Sequence, residues 1–154
     1  MGSGKECVRA PGRPAEFVWP SAAGWVRWGR TIMEMTSLAA ELLARATQGD
    51  VEAQYELGWR HALGMELPED EGEALKWLRV AAGNGHALAR NNLGARYLAG
   101  DGVEADPVEA YCWFHLAAEA GDRKAGKNRD TVAAGLTPEQ IAEAIRRAAG
   151  VGAG

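Results

Sequence analysis

The chain has 154 residues, 47% hydrophobic and 25% charged, the balance of a soluble globular protein large enough to bury a core. A net charge of −4 and a pI near 5.4 argue against nucleic acid as the main partner, and no apolar run approaches the ~18 residues that a membrane-spanning helix needs. Two cysteines, Cys7 and Cys112, stand far apart without a CxxC or Cys/His ligand spacing, so a reduced, cytoplasmic protein is the simplest expectation.

Residues 1–36 differ from the rest of the chain. The segment is rich in Gly and Pro, more basic than acidic, and carries Trp19, Trp25 and Trp28 without helical periodicity or a signal-peptide core. It reads as a flexible extension, or as an untranslated stretch ahead of a true start at Met33 or Met35. A third reading is a basic arm that docks on a partner or on anionic lipid. In each case it is set apart from the folded domain, which is expected over 37–149 with a disordered tail at 150–154.

From Ser37 the chain becomes helical and repetitive. Sliding the sequence by 36 positions aligns AQYELGWRHALG (Ala53 to Gly64) with ARNNLGARYLAG (Ala89 to Gly100), and the match runs on without a gap to Gly85 and Gly121. SLAAELLARATQGD (Ser37 to Asp50) fits the second-helix register of this unit, so the array opens on a half-repeat. The first full repeat, 50–85, has a helix opening near Asp50, a turn GMELPED and a second helix capped by Asp70 and stopped by Gly85. The second, 86–121, repeats the plan with GDGVEAD, a cap at Asp106, Pro107 at the first helical position and a stop at Gly121. A C-terminal unit, 122–149, carries Arg129 and Asp130 where the others have Leu and Gly. It ends in TPEQIAEAIRRAA, with Thr137 and Gln140 forming a capping box. Paired helices at this period predict an all-α superhelix in which each unit buries its apolar face by stacking on the next.

The second copy fits the pattern A-x-x-x-L-G-x-x-Y-x-x-G-x-G-V-x-x-D-x-x-x-A-x-x-W-F-x-x-A-A-x-x-G throughout, by way of Leu93, Gly94, Tyr97, Trp113 and Phe114. In this it resembles the Sel1-like repeat, a bacterial-type tetratricopeptide-like repeat. The first copy keeps Leu57, Gly58 and Trp77 but has His61 for the tyrosine, Glu66 for the second loop glycine and Leu67 for the valine. The resemblance covers about 37–149. It implies a right-handed α/α solenoid of two full repeats with capping half-repeats, and a role in assembling or regulating other proteins, without catalysis in most members. The missing glycine predicts a different loop in the first copy. Gly58 and Gly94 are expected to admit close helix approach, and Trp77 and Trp113 to wedge between hairpins.

The most enzyme-like stretch is DPVEAYCWFHLAAEAG, where Cys112 and His115 stand one turn apart like a nucleophile and its base. At the equivalent positions of the first copy stand Lys76 and Arg79. Both sites are therefore expected to face solvent, and Cys112→Ser is expected to leave stability unchanged. No catalytic residue, cofactor or metal ligand set emerges; His61 and His86 form no metal pattern.

What remains is surface. If the first helices line the concave face, a protein or peptide partner would meet Tyr55, Glu56, Trp59, Arg60, Asn91, Asn92 and Arg96. Arg60 and Arg96, one repeat apart, form either an arginine ladder for acidic groups or ordinary surface pairs with neighbours such as Glu56. Asn92 is equally readable as a structural hydrogen bonder. Two alternatives stay open. One is the binding or hydrolysis of a cell-wall or carbohydrate ligand, suggested for cysteine-rich relatives whose paired cysteines are absent here. The other is a homo-oligomer that associates end to end.

Overall fold

The structure, a computed structural model, describes residues 37–151; the expectations for 1–36 and for the last three residues lie outside it. Within that range the chain is all helix. A helix over residues 37–47 (α1) precedes α2 (Val51–Leu63), α3 (Glu71–Gly83), α4 (Ala87–Ala99), α5 (Pro107–Glu119), α6 (Arg123–Ala133) and α7 (Pro138–Gly150). α2 pairs with α3 and α4 with α5, and each pair stacks on the next through α3 and α4, then α5 and α6. α7 ends with Gly150, and Val151 packs against the core.

The repeat is visible in the backbone itself. Gly49, Gly85 and Gly121 stop α1, α3 and α5 at φ of 95°, 97° and 95°. After each one the chain donates back by the same bond, Asp50 N–H to Arg45, His86 to Ala81 and Asp122 to Ala117. The residue after each glycine then caps the next helix. Asp50, His86 and Asp122 accept from the N–H of Ala53, Ala89 and Ala125 respectively. α1 therefore occupies the second-helix register, as a half-repeat should.

The first loop departs from expectation. Glu66 adopts φ 61° where Gly102 has 68°, so the loop keeps its path although the glycine is missing. Both loops close identically, Asp70 N–H on the His61 carbonyl and Asp106 N–H on that of Tyr97. Holding a side chain in the left-handed region costs about 1 kcal/mol. Glu66 offsets part of this through an ion pair with Arg60. Gly102 has no such compensation, and a Cβ there would stand 3.3 Å from Glu71 Oε1 and 3.4 Å from Arg96 Nη1. Gly102→Ala is therefore expected to lower stability by about 1–2 kcal/mol, read from urea denaturation.

Two apolar clusters form the core. Leu42, Ala46, Ala53 and Leu57 join α1 to the first repeat, with Trp77 packed against them. A larger cluster centred on Leu93, Phe114 and Trp113 extends to Ala144 and Ala148 of α7. Trp113 is buried and donates its indole N–H to Glu109, whereas Trp77 is half-buried under the Lys76 ammonium.

The sequence expectation for Cys112 and His115 is overturned here. Cys112 is 0% exposed, although its repeat-mate Lys76 has a side chain 60% exposed. The difference is α7, which packs on α5 rather than closely on α6. Asp130 stands where Gly58 and Gly94 let earlier helix pairs approach, so α6 offers no close seat, and α7 covers the flank of α5 instead. Arg147 ties it there through Glu109 at 3.1 Å and Asp106 at 3.6 Å. α3 has no such cover among the described residues, and Lys76 and Arg79 stay exposed.

Candidate partner-binding face

The first helices of successive units, α2, α4 and α6, are fixed side by side by one repeated side-chain bond. Asn92 donates to the Tyr55 hydroxyl at 3.1 Å, and 36 residues later Asn128 donates to Asn91 Oδ1 at 3.0 Å. A second repeated bond anchors each first helix to the end of the preceding one. Gln54 donates to the Ala46 carbonyl and Arg90 to that of Ala82. These four side chains set the register of the face.

The candidates named from sequence divide accordingly. Asn91 is buried against Asn128 and does not point outward. Tyr55 and Asn92 are half-buried and bonded to each other, with the Tyr55 ring stacked 4.3 Å from that of His86. Arg60 is clasped by Glu56 at 2.6 Å and by Glu66. Arg96 is clasped by Glu71, with Asp101 at 3.8 Å. The two arginines thus form the paired surface arrangement and not a ladder of open cations. Trp59 alone among the candidates stands free, 51% exposed.

Beside Trp59 lies a groove between α2 and α4. Trp59 and Ala62 form one wall, Ala95 and Arg96 the other, and Ala74 and Leu78 of α3 the floor. Its volume is about 200 Å3. Small-molecule sites usually enclose ~300–1,000 Å3, so this one accommodates a protruding side chain better than a whole metabolite.

Sequence reading missed the pattern of the outermost positions. Stepping by 36 residues, Glu52, Leu88 and Lys124 are equivalent, as are Trp59, Ala95 and Thr131, and Leu63, Ala99 and Gly135; all of them are exposed. The face therefore changes from acidic and bulky on α2, through apolar on α4, to basic with the small Thr131 on α6. The signal lay in the repeat alignment, read across helices instead of along them.

The helix that looked catalytic carries no such chemistry. Burial, reinforced by the Glu109 carboxylate, pushes the Cys112 thiol up to about 12. His115 turns away to Glu119, 3.4 Å from Nε2, and stacks on Tyr111. A thiol this reluctant to ionise is no nucleophile at neutral pH. Among the described residues no group of three or more His, Cys, Asp or Glu is placed to hold a metal ion, and no helix is long and apolar enough to cross a membrane.

Comparison with known proteins agrees with the repeat. The family described as Sel1 repeat matches residues 51–86 and 87–122. The crystal structure of a protective antigen present in uropathogenic Escherichia coli strains, displaying an SLR fold, is 32% identical with a TM-score of 0.65. The match covers 71% of this chain and 24% of the antigen, so the chain spans about a quarter of that protein's length. A Sel1 repeat protein from Oxalobacter formigenes is 29% identical with a TM-score of 0.57, over 70% of this chain and 96% of the other. No curated protein matches.

Proposed function

Since the chain, with its two tandem Sel1 repeats, belongs to the Sel1-like repeat family, we propose that it is a non-catalytic scaffold that binds a protein or peptide on the face built by α2, α4 and α6. One observation carries this reading. Trp59, the largest exposed side chain of the domain, stands over a groove sized for a side chain, and the packing of the fold does not require it there. Exposed tryptophans flanked by small residues are what protein interfaces use as anchors. The ion-paired arginines beside it supply a polar rim already held in place, which lowers the ordering cost of binding.

Affinity capture from the source cells with wild type, Trp59→Ala and Lys76→Glu tests the reading. Trp59→Ala is expected to weaken retention of a partner by about 30-fold or more, the range of an interface anchor. Lys76→Glu, on an exposed face of α3, is expected to retain it. Identical profiles for wild type and Trp59→Ala, with helicity preserved, would overturn the assignment.

A further inference from the structure

We propose that the face of α2, α4 and α6 pairs with the same face of a second copy of this chain, about a two-fold axis running along α4. This inference rests on the reading of that face as the interaction surface and names its partner. The two-fold places α2 of one copy over α6 of the other, and α4 over α4. Three sets of exposed positions then meet complements. Glu52 faces Lys124 at the same helical level, Trp59 faces the small Thr131, and Leu88 meets its own copy at the axis. Both charges are available for this. Among the described residues, the Glu52 carboxylate, 80% exposed, has only His86 Nε2 as an ion-pair partner, at 3.3 Å, and Lys124 has no carboxylate partner.

The groove gives the second complement. Leu98 follows Asn91 by seven residues, two helical turns, and so lies on the α6 side of α4, where Asn91 bonds Asn128. It is exposed. Under the same two-fold this side of one α4 lies over the space between α2 and α4 of the other. Leu98 is thereby brought to the groove bounded by Trp59, Ala62, Ala95 and Arg96. The contact occurs twice, a knob into a hole from each side, as an isologous interface requires. A single field of like charge would oppose such self-pairing. Here acidic and basic ends sit two helix spacings apart, roughly 20 Å at the usual 8–10 Å per helix pair, with apolar surface between them.

Sedimentation equilibrium of the full-length chain over a concentration series tests this. Wild type is expected to be a concentration-dependent dimer. Leu98→Asp, which puts a carboxylate in each groove, is expected to be monomeric up to at least 100-fold higher concentration, the scale of a lost interface anchor. Glu52→Lys and Lys124→Glu each place two like-charge pairs across the axis, and each is expected to raise the dissociation constant by about tenfold. The chain carrying both swaps should recover the wild-type value, because the pairs are then opposite again. All these positions are exposed, so the variants keep the fold, which circular dichroism verifies. A wild type that stays monomeric at high concentration would overturn the proposal, as would single swaps without effect or a double swap without recovery. A monomer that still loses its captured partner on Trp59→Ala would sink the dimer alone. A dimer whose capture profile ignores Trp59→Ala would sink only the reading of the face as a scaffold for other proteins.

Discussion

Phe114→Ala is expected to lower the unfolding free energy by about 3–5 kcal/mol, the usual range for a buried aromatic whose cavity cannot collapse. Phe114 is 1% exposed and is the largest fully buried side chain of the domain. It stands where the first repeat has Leu78, and it fills the junction of α4 and α5 because Gly94 lets it in. A Cβ on Gly94 would fall 2.9 Å from both Cδ1 and Cε1 of the ring and 3.2 Å from the Ala110 carbonyl. Gly94→Ala therefore sets two effects against each other. Helix propensity favours alanine by about 1 kcal/mol, while overpacking costs about 1–3 kcal/mol. The ring is enclosed and the carbonyl belongs to the backbone, so overpacking is expected to win. At Gly58 the added Cβ would meet the Ala74 carbonyl at 3.1 Å and the Leu78 amide at 3.2 Å, and the nearest side-chain atom is Trp77 Cβ at 3.6 Å. Gly58→Ala should lie nearer to neutral. Combining Gly94→Ala with Phe114→Leu should cost less than the sum of the two by about 1 kcal/mol, since the shorter side chain leaves room for the methyl. Urea unfolding of each variant beside the wild type measures these differences. A loss under about 1 kcal/mol for Phe114→Ala would mean that the α4–α5 junction is not packed as described.

Most of this architecture was legible because a repeat reports each position more than once. The glycine stops, the Asp70 and Asp106 caps and the Thr137 capping box depend on local chemistry, and local chemistry is written in neighbouring residues. Glu66 shows the limit of that reading. Its left-handed backbone is imposed by the loop closure from Asp70 to His61, which overrides the preference of the residue itself. Asn91 shows another limit. Its inward turn depends on Asn128 in the next unit, and the equivalent pair one repeat earlier is Tyr55 and Asn92, so the donating Asn repeats but the acceptor does not. The largest error concerned α5. Its repeat-mate α3 predicted an exposed flank correctly for α3. Equivalence fails at α5 because α7 turns onto α5 instead of seating closely on α6. Asp130 signals in sequence that α7 will not seat closely on α6, but it does not say where the helix goes.

Burial of Cys112 leads to the second large effect, on thiol chemistry. In a Cys7→Ser background Cys112 is the sole cysteine. Its thiol is raised from 9.0 to about 12 by burial under α7, with Glu109 adding to the shift. At any pH below 9 the thiolate is then about a thousandfold scarcer than at an ordinary cysteine, and the thiolate is the reacting species. Labelling at pH 8 should be about 1,000 times slower than for a free thiol, and should climb about tenfold per pH unit up to about pH 11. Stability should change with the opposite sign. The unfolded thiol ionises near 9 while the folded one does not, so unfolding becomes easier as pH rises through the range from 9 to about 12. Two variants locate the cause. Lys76→Cys places a thiol at the equivalent site of the first repeat, where nothing among the described residues covers it, and it should label as a free cysteine does. Ala144→Asp puts a charge at a 0% exposed position of α7. An unpaired buried charge is worth several kcal/mol against docking, so α7 should lift and Cys112 should label faster while α2 to α5 keep their helicity. Equal labelling of Cys112 and Lys76→Cys in the otherwise native chain would show that α7 does not cover α5, and would restore the two repeats to equivalence.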